Sequence, residues 1–287
     1  VDTGLAELAI DREPRPAGWT GKLDLTFRRI GDRTVLAKRR HEGPLVVQKP
    51  LYPEGPAVCH TILVHAPGGI AGGDRLQLDL RAETGSHALL TTPAATKWYK
   101  SDGRPAGQST VFSVSDSAVL EWLPQETIVF DEAEPDIVTR VALGGGAVYV
   151  GWEILCLGRH ASGERFGSGI LRQDLRVSRD DKMLWNERFI LAGGDGLMVS
   201  PVGLRGQHVS GGMIVAAGTL PEDLVSACRN ARPRNGEGGV TALPAIFSAR
   251  YLGPSAEAAR NYFEELRSIL RPWYAGRPAL RSRLWDT

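Results

Sequence analysis

Between Leu23 and Leu191 the chain keeps a rhythm of two, with apolar and polar residues alternating in short runs. That period belongs to strands, because only in a strand do successive side chains point to opposite faces. The run from Asp74 to Glu83 is the clearest: Leu76, Leu78, Leu80 and Ala82 share one face, and Arg75, Gln77, Asp79, Arg81 and Glu83 the other. Strands are likewise predicted over Lys22–Arg29, Thr34–Arg40, Leu45–Lys49, Cys59–His65, His87–Thr92, Ser109–Val114, Ala118–Leu123, Ile137–Leu143, Ala147–Leu155, Gly169–Val177, Met183–Leu191 and Gly212–Ala217. Gly, Pro, Asp and Ser punctuate them at short intervals, which favours an all-β body over βαβ units, and no internal repeat is visible.

Two segments read as helices. Thr219 to Arg229 opens on a capping box, with Thr219 as N-cap and Glu222 three residues on, and stops before Pro233. Ser255 to Leu270 carries Ala259, Tyr262, Phe263, Leu266, Ile269 and Leu270 at helical spacing and stops before Pro272. Arg232–Gly239 reads as a mobile loop. The segment from Arg271 to Thr287 reads as irregular, its Trp273, Tyr274 and Trp285 set among arginines.

Composition narrows the partners. Lys plus Arg number 34 against 33 for Asp plus Glu, so a net charge of +1 offers no bulk attraction to nucleic acid or anionic membrane. The apolar stretches Ala147–Gly158 and Gly211–Leu220 fall short of a bilayer span. Val1 to Gly18 has no apolar core, so it reads as a poorly ordered lead-in rather than a secretory signal, before a single domain over 19–287. Three cysteines, Cys59, Cys156 and Cys228, argue against a disulfide framework and fit a reducing cytoplasm.

The stretch "HAPGGIAGGDR", His65 to Arg75, has the glycine spacing of a P-loop between Gly68 and Gly73, yet Asp74 stands where a phosphate-binding lysine would be needed. Cys59 and His65 share a strand face but lie about 20 Å apart at ~3.3 Å per residue, too far to hold one ion. There is no G-x-S-x-G elbow and no H-E-x-x-H pair. What remains is a set of carboxylates in apolar settings. Glu121 shares a face with Val119 and Leu123, and Glu153 one with Tyr149, Gly151 and Leu155, while Asp74, Glu126, Asp131 and Glu164 lie near turns. Buried carboxylates need an arginine, a water-filled channel or a cation. Two function classes stay open on this basis: a glycoside hydrolase with paired carboxylates, or a noncatalytic protein that passes a divalent cation along weak oxygen sites.

Five strings carry more. "GPLVVQKPLYPEG" (Gly43–Gly55), "CHTILVHAPGGIAGGD" (Cys59–Asp74), "LLTTPAATKWYKS" (Leu89–Ser101), "LEWLPQETIVFDEA" (Leu120–Ala133) and "WEILCLGRHASGE" (Trp152–Glu164) resemble, in order and spacing, the urease accessory protein UreD (UreH) family, from Trp19 to Trp285. The resemblance implies a mainly β fold: one large β-rich domain of stacked, helically arranged sheets with two α-helices near the C-terminus. It implies a cytoplasmic, nonenzymatic metallochaperone scaffold that binds UreF in a 2:2 complex, recruits the GTPase UreG through it and docks on the apo-urease subunits. No cofactor is held tightly; Ni²⁺ passes transiently through an internal water-filled tunnel.

Carried over by position, the resemblance makes Asp74, Glu121, Glu153 and Glu164 the expected weak tunnel-lining metal positions. Gly68, Gly69, Gly72, Gly73, Lys97, Ser101 and Arg159 support the motifs, and Lys97 and Arg159 are expected to pair with neighbouring acids. A passive scaffold without a conduit is the alternative. The aromatic and apolar face of the last helix and tail is where a partner surface would be sought, although packing of that face within the molecule is the favoured reading.

Overall fold

A computed structural model describes residues 18–282 and Trp285; the expected lead-in over 1–17 lies outside the described residues, as do 283, 284, 286 and 287. Seventeen strands run along the chain in order: β1 (Thr20–Ile30), β2 (Arg33–Glu42), β3 (Leu45–Val47), β4 (Val58–His65), β5 (Arg75–Ala82), β6 (His87–Thr91), β7 (Thr96–Trp98), β8 (Ala106–Val114), β9 (Val119–Trp122), β10 (Thr127–Val129), β11 (Pro135–Leu143), β12 (Val148–Leu157), β13 (Ile170–Arg179), β14 (Lys182–Ala192), β15 (Val209–Ala216), β16 (Glu237–Ala242) and β17 (Phe247–Gly253). The helices are α1 (Glu222–Asn230) and α2 (Ala256–Ala275).

The strands form two sheets. One runs β14-β13-β11-β8-β5-β1-β2, and the other β16-β17-β15-β12-β9-β6-β4-β3, with β10 and β7 added beside β12. The chain alternates between them: β5, β8, β11 and β13 join the first sheet, while β6, β9 and β12 join the second between them. Within each sheet these successive strands pair in parallel. Parallel neighbours require a long crossover, usually a helix. Here the crossover is a strand of the facing sheet, so the chain winds as a coil and rises one strand per turn. The coil is a structural repeat that the sequence does not announce, because the matching row Leu78, Thr110, Thr139 and Leu175 keeps position but not residue type.

Between the sheets, Leu23, Leu25, Phe27, Leu80, Phe112, Val141 and Val177 meet Cys59, Leu63, Ala88, Leu90, Leu120 and Ile214. The second sheet is covered on its other face too, where Trp152, Ile154, Met213 and Val215 pack against Ala259, Tyr262, Phe263, Leu266 and Leu270 of α2. That double burial explains why β6 and β12 read as continuous apolar runs instead of alternating ones.

Several expectations need correction. α1 begins at Glu222 with Pro221 as N-cap, and the Thr219 hydroxyl donates to the Pro244 carbonyl (2.7 Å) instead of capping the helix. α2 does start at Ser255, whose hydroxyl accepts from the Ala258 N–H, but it runs through Pro272 to Ala275. Proline there removes one bond near the helix end, a loss offset by the anchors that Arg271 and Tyr274 find below the helix. The segment 232–239 contains the start of β16, and β7, β10 and β17 were not expected. The apolar stripe of α2 covers its own sheet, and Trp285 is buried against Trp152 (ring centroids 5.3 Å). Packing within the molecule, the favoured reading of that face, is thus what the structure shows.

Candidate functional site

The glycine loop joins β4 to β5 and is closed by Asp74. One carboxylate oxygen accepts from the Trp19 N–H (2.7 Å) and the other from the Ala71 N–H (2.8 Å). Gly73 turns at φ +90°, a region that side chains rarely tolerate, and a Cβ on Gly69 would lie 2.3 Å from the Tyr99 ring. Asp74 is buried, and its two oxygens are committed to holding the loop. Nearby, the Ser101 hydroxyl donates to the Arg104 carbonyl and accepts from the Gly103 N–H.

Glu121 comes from β9 and is wholly buried under α2. Its Oε1 accepts from His87 Nε2 (2.8 Å) and Arg271 Nε (3.0 Å), and its Oε2 from Arg267 Nε (2.7 Å) and the Tyr274 hydroxyl (3.1 Å). Arg271 continues to Glu54, which also receives His60 Nε2 (2.6 Å). Burial alone would raise the Glu121 carboxyl, but the Arg267 charge and the His87 hydrogen bond hold it well below the carboxylate range. Glu54, against the same burial penalty, is drawn down to about 2 by hydrogen bonds from His60 and Arg271. Burial pushes the His87 imidazole down, towards its neutral form. The carboxylate that sequence position made a candidate metal ligand is thus locked in an ion network with two arginines.

Glu164 is paired as well. Arg159 reaches its Oε2 (2.5 Å) while the Arg159 guanidinium lies 4.4 Å over the Phe130 ring, and Glu164 Oε1 accepts from the Asp131 N–H (3.2 Å). The Arg159 hydrogen bond lowers the Glu164 carboxyl. The pairing expected of Arg159 is present. Lys97, in contrast, forms no ion pair within 4 Å among the described residues.

Glu153 differs from these three. It projects from β12 into the space between the sheets, where leucines give way to threonine and glutamine and the layers part into two cavities. The first, of about 220 Å³, is lined by His65, Lys97, Trp98, Gln108, Thr110 and Thr139 among others. The second, of about 200 Å³, is lined by Tyr149, Gln173, Glu187, Ser210 and Arg250 among others. Glu153, Trp122 and Thr139 line both, which puts Glu153 at their common boundary.

Among the described residues the Glu153 side chain accepts one hydrogen bond, from the Gln173 amide, and pairs with no arginine or lysine. Protein surrounds this carboxyl while the cavity keeps it in contact with space, and burial raises it to about 7. Glu187, a second carboxylate on the wall of the second cavity, is held by Arg250 (2.6 Å) and the Trp185 indole (3.0 Å). Asp74, Glu121 and Glu164 line neither cavity, and among the described residues no three His, Cys, Asp or Glu side chains gather as a metal site. Glu187 and Gln173 were missed in the sequence because their facing Glu153 depends on the stacking of two sheets. The alternation of β14 was the only available sign for Glu187.

A family model described as "UreD urease accessory protein" matches residues 20–286. Among curated proteins, the chain is 50% identical over 270 residues to "Urease accessory protein UreD" of Methylobacillus flagellatus, covering 94% of this chain and 95% of that one. It is 49% identical over 286 residues to the protein of that name from Dechloromonas aromatica (98% and 99% covered), and 47% identical over 270 residues to the one from Pseudomonas aeruginosa (94% and 95%).

Proposed function

Given that the chain belongs to the UreD family of urease accessory proteins, we propose that it is a nonenzymatic scaffold in urease maturation that also provides an internal route for the Ni²⁺ cargo. In this reading it binds UreF in a 2:2 complex, brings the GTPase UreG to apo-urease through UreF, and works in the cytoplasm. No helix among the described residues is long and apolar enough to cross a membrane.

The observation that carries the route is the position of Glu153. Among the described residues it is the one carboxylate shared by both interlayer cavities, and no arginine or lysine pairs with it. A divalent ion crossing the space between the sheets needs oxygen ligands that bind it weakly enough to let it go. Glu153, the Gln173 amide, Ser210 and Glu187 offer oxygens along the second cavity, and threonine hydroxyls continue them along the first. No closed cage is formed, and incomplete, hydrated coordination is what passage requires.

Glu153→Gln tests the route, because it keeps shape and removes charge. With UreF, UreG and apo-urease present and nickel limiting, complex assembly is expected to persist while the rate of urease activation falls by about tenfold, the loss of a single charged ligand. Wild-type activation by Glu153→Gln would overturn the route and leave the passive scaffold. That second reading is favoured by the hydrogen bonds that already occupy Asp74, Glu121 and Glu164. Asp74→Ala is the poorer probe, since it also opens the loop it closes. Hydrolysis of a glycoside by the chain alone would overturn both.

A further inference from the structure

β14 ends the first sheet and pairs along one edge only, with β13. Among the described residues, no backbone N–H or C=O from Lys182 to Leu191 bonds outside that ladder. An open edge of this length is a template for a further strand. The register shifts once, between Val177 and Ser178 on β13, and beyond that point Trp185 to Ala192 pair regularly with Val177 back to Ile170. The regular run contains no lysine or proline to block a neighbour, and its inward acid, Glu187, is neutralised by Arg250 (2.6 Å).

Both faces of this edge are unfinished. On the inner face Trp185 and Phe189 pack against the core yet stay half-buried. On the outer face Asp174 of β13 draws in Arg140 (2.8 Å), Arg176 (3.3 Å) and Arg188 (3.8 Å), the last from β14 itself. A guanidinium has about five N–H donors and a carboxylate roughly four acceptor sites, so the cluster keeps more donors than Asp174 can take and a net positive charge. Arg172 forms no ion pair within 4 Å among the described residues, and Ile190, opposite it in register, is exposed. Arginine beside exposed apolar surface is what the energetic centres of interfaces are made of.

We propose that β14 receives an extended, acidic segment of a partner protein as an added strand, whose alternate carboxylates reach Arg188 and the arginines behind it while the intervening apolar side chains cover Trp185 and Phe189. Main-chain hydrogen bonds supply the affinity in this mode, and the alternation supplies the specificity. A second copy of the chain fits poorly, because it would set arginine against arginine across the new ladder. The surface is distinct in role from the cation route and is tested without nickel, so the failure of either leaves the other standing.

The test uses the full chain and a fluorescent synthetic peptide in which glutamate alternates with valine. One control peptide carries lysine for glutamate, and a second carries proline for valine and so cannot pair as a strand. Anisotropy is expected to show saturable binding of the glutamate–valine peptide and none of either control, with a midpoint raised roughly tenfold in Arg188→Gln, as fits the loss of one charge-assisted contact. Hydrogen exchange read by mass spectrometry should show new protection confined to β14. Arg188 is exposed and Asp174 keeps Arg140 and Arg176, so Arg188→Gln should melt at the wild-type midpoint. Binding of the lysine or the proline peptide means adhesion without a strand, and a dimer with β14 protected before any peptide is added means that a second copy fills the edge. Either result overturns the proposal, as does binding that is absent, indifferent to Arg188→Gln, or accompanied by protection elsewhere.

Discussion

Replacing Glu121 by glutamine removes one charge from the centre of the network under α2 and almost nothing from its shape. Both carboxylate oxygens are in use, Oε1 by His87 and Arg271 and Oε2 by Arg267 and Tyr274. Whichever way the new amide turns, its NH₂ faces a guanidinium. Arg271 keeps Glu54 as a partner, but Arg267, 1% exposed, is left with the Leu280 carbonyl at 3.2 Å. Removing one partner from a buried ion pair costs about 3–5 kcal/mol, because the remaining charge stays buried without compensation.

At about 2–4 °C per kcal/mol, that loss lowers the melting midpoint by roughly 6–20 °C. Circular-dichroism melts and urea titrations at pH 7.5 measure it. The carboxyl is depressed in the folded state, so its contribution is complete above the unfolded carboxyl range near pH 4 and is lost only as pH falls through the folded value. The pH of the assay therefore lies on the plateau. Glu121→Gln combined with Arg267→Met should recover part of the loss, since the orphaned charge goes too. A single variant within 1 kcal/mol of wild type, or a double variant no better than the single, would refute the view that the network is held by charge.

Two further outcomes follow from the same geometry. The His87 imidazole is pushed down by burial, so the unfolded chain takes up a proton first as pH falls below about 6.5, and stability declines from there towards the folded value, by up to about 1.4 kcal/mol per pH unit. Urea melts at pH 7.5, 6.5 and 5.5 should show this slope and its flattening in His87→Gln; equal slopes count against it. Gly69→Ala should cost about 1–3 kcal/mol and perturb near-ultraviolet circular dichroism, since the new methyl meets the Tyr99 ring packed edge-on to Phe130. In a Tyr99→Ala background the same change should cost almost nothing.

Alternation placed most strands of the coil, because a half-buried strand such as β5 carries its two faces in its letters. Where it failed the causes were physical. β7 and β10 are three residues long, too short for a period, and are held by pairing with each other, with β12 and with Ile70 of the glycine loop. β17 is buried on both sides and shows no clean alternation. The end of α2 overran Pro272 because Arg271 and Tyr274 reach Glu121, a partner 150 residues upstream for Arg271.

At the candidate site, residue type did not separate Glu121 from Glu153. Both sit in apolar strands, and only the third dimension gives one two arginines and the other an open cavity.

The α2 clamp also sets a timetable for synthesis. Glu121 is made long before Arg267 and Arg271, its counter-charges 146 and 150 residues later. At about 5–20 residues per second the ribosome needs roughly 7–30 s to supply them. Through that interval the growing coil carries a carboxylate it cannot bury and a sheet face still waiting for its helix, which is the condition under which nascent chains stick to one another or recruit holding factors. Closure of the second sheet therefore waits until Arg267 and Arg271 have been made, and a chain truncated before Arg267 should remain a client of chaperones.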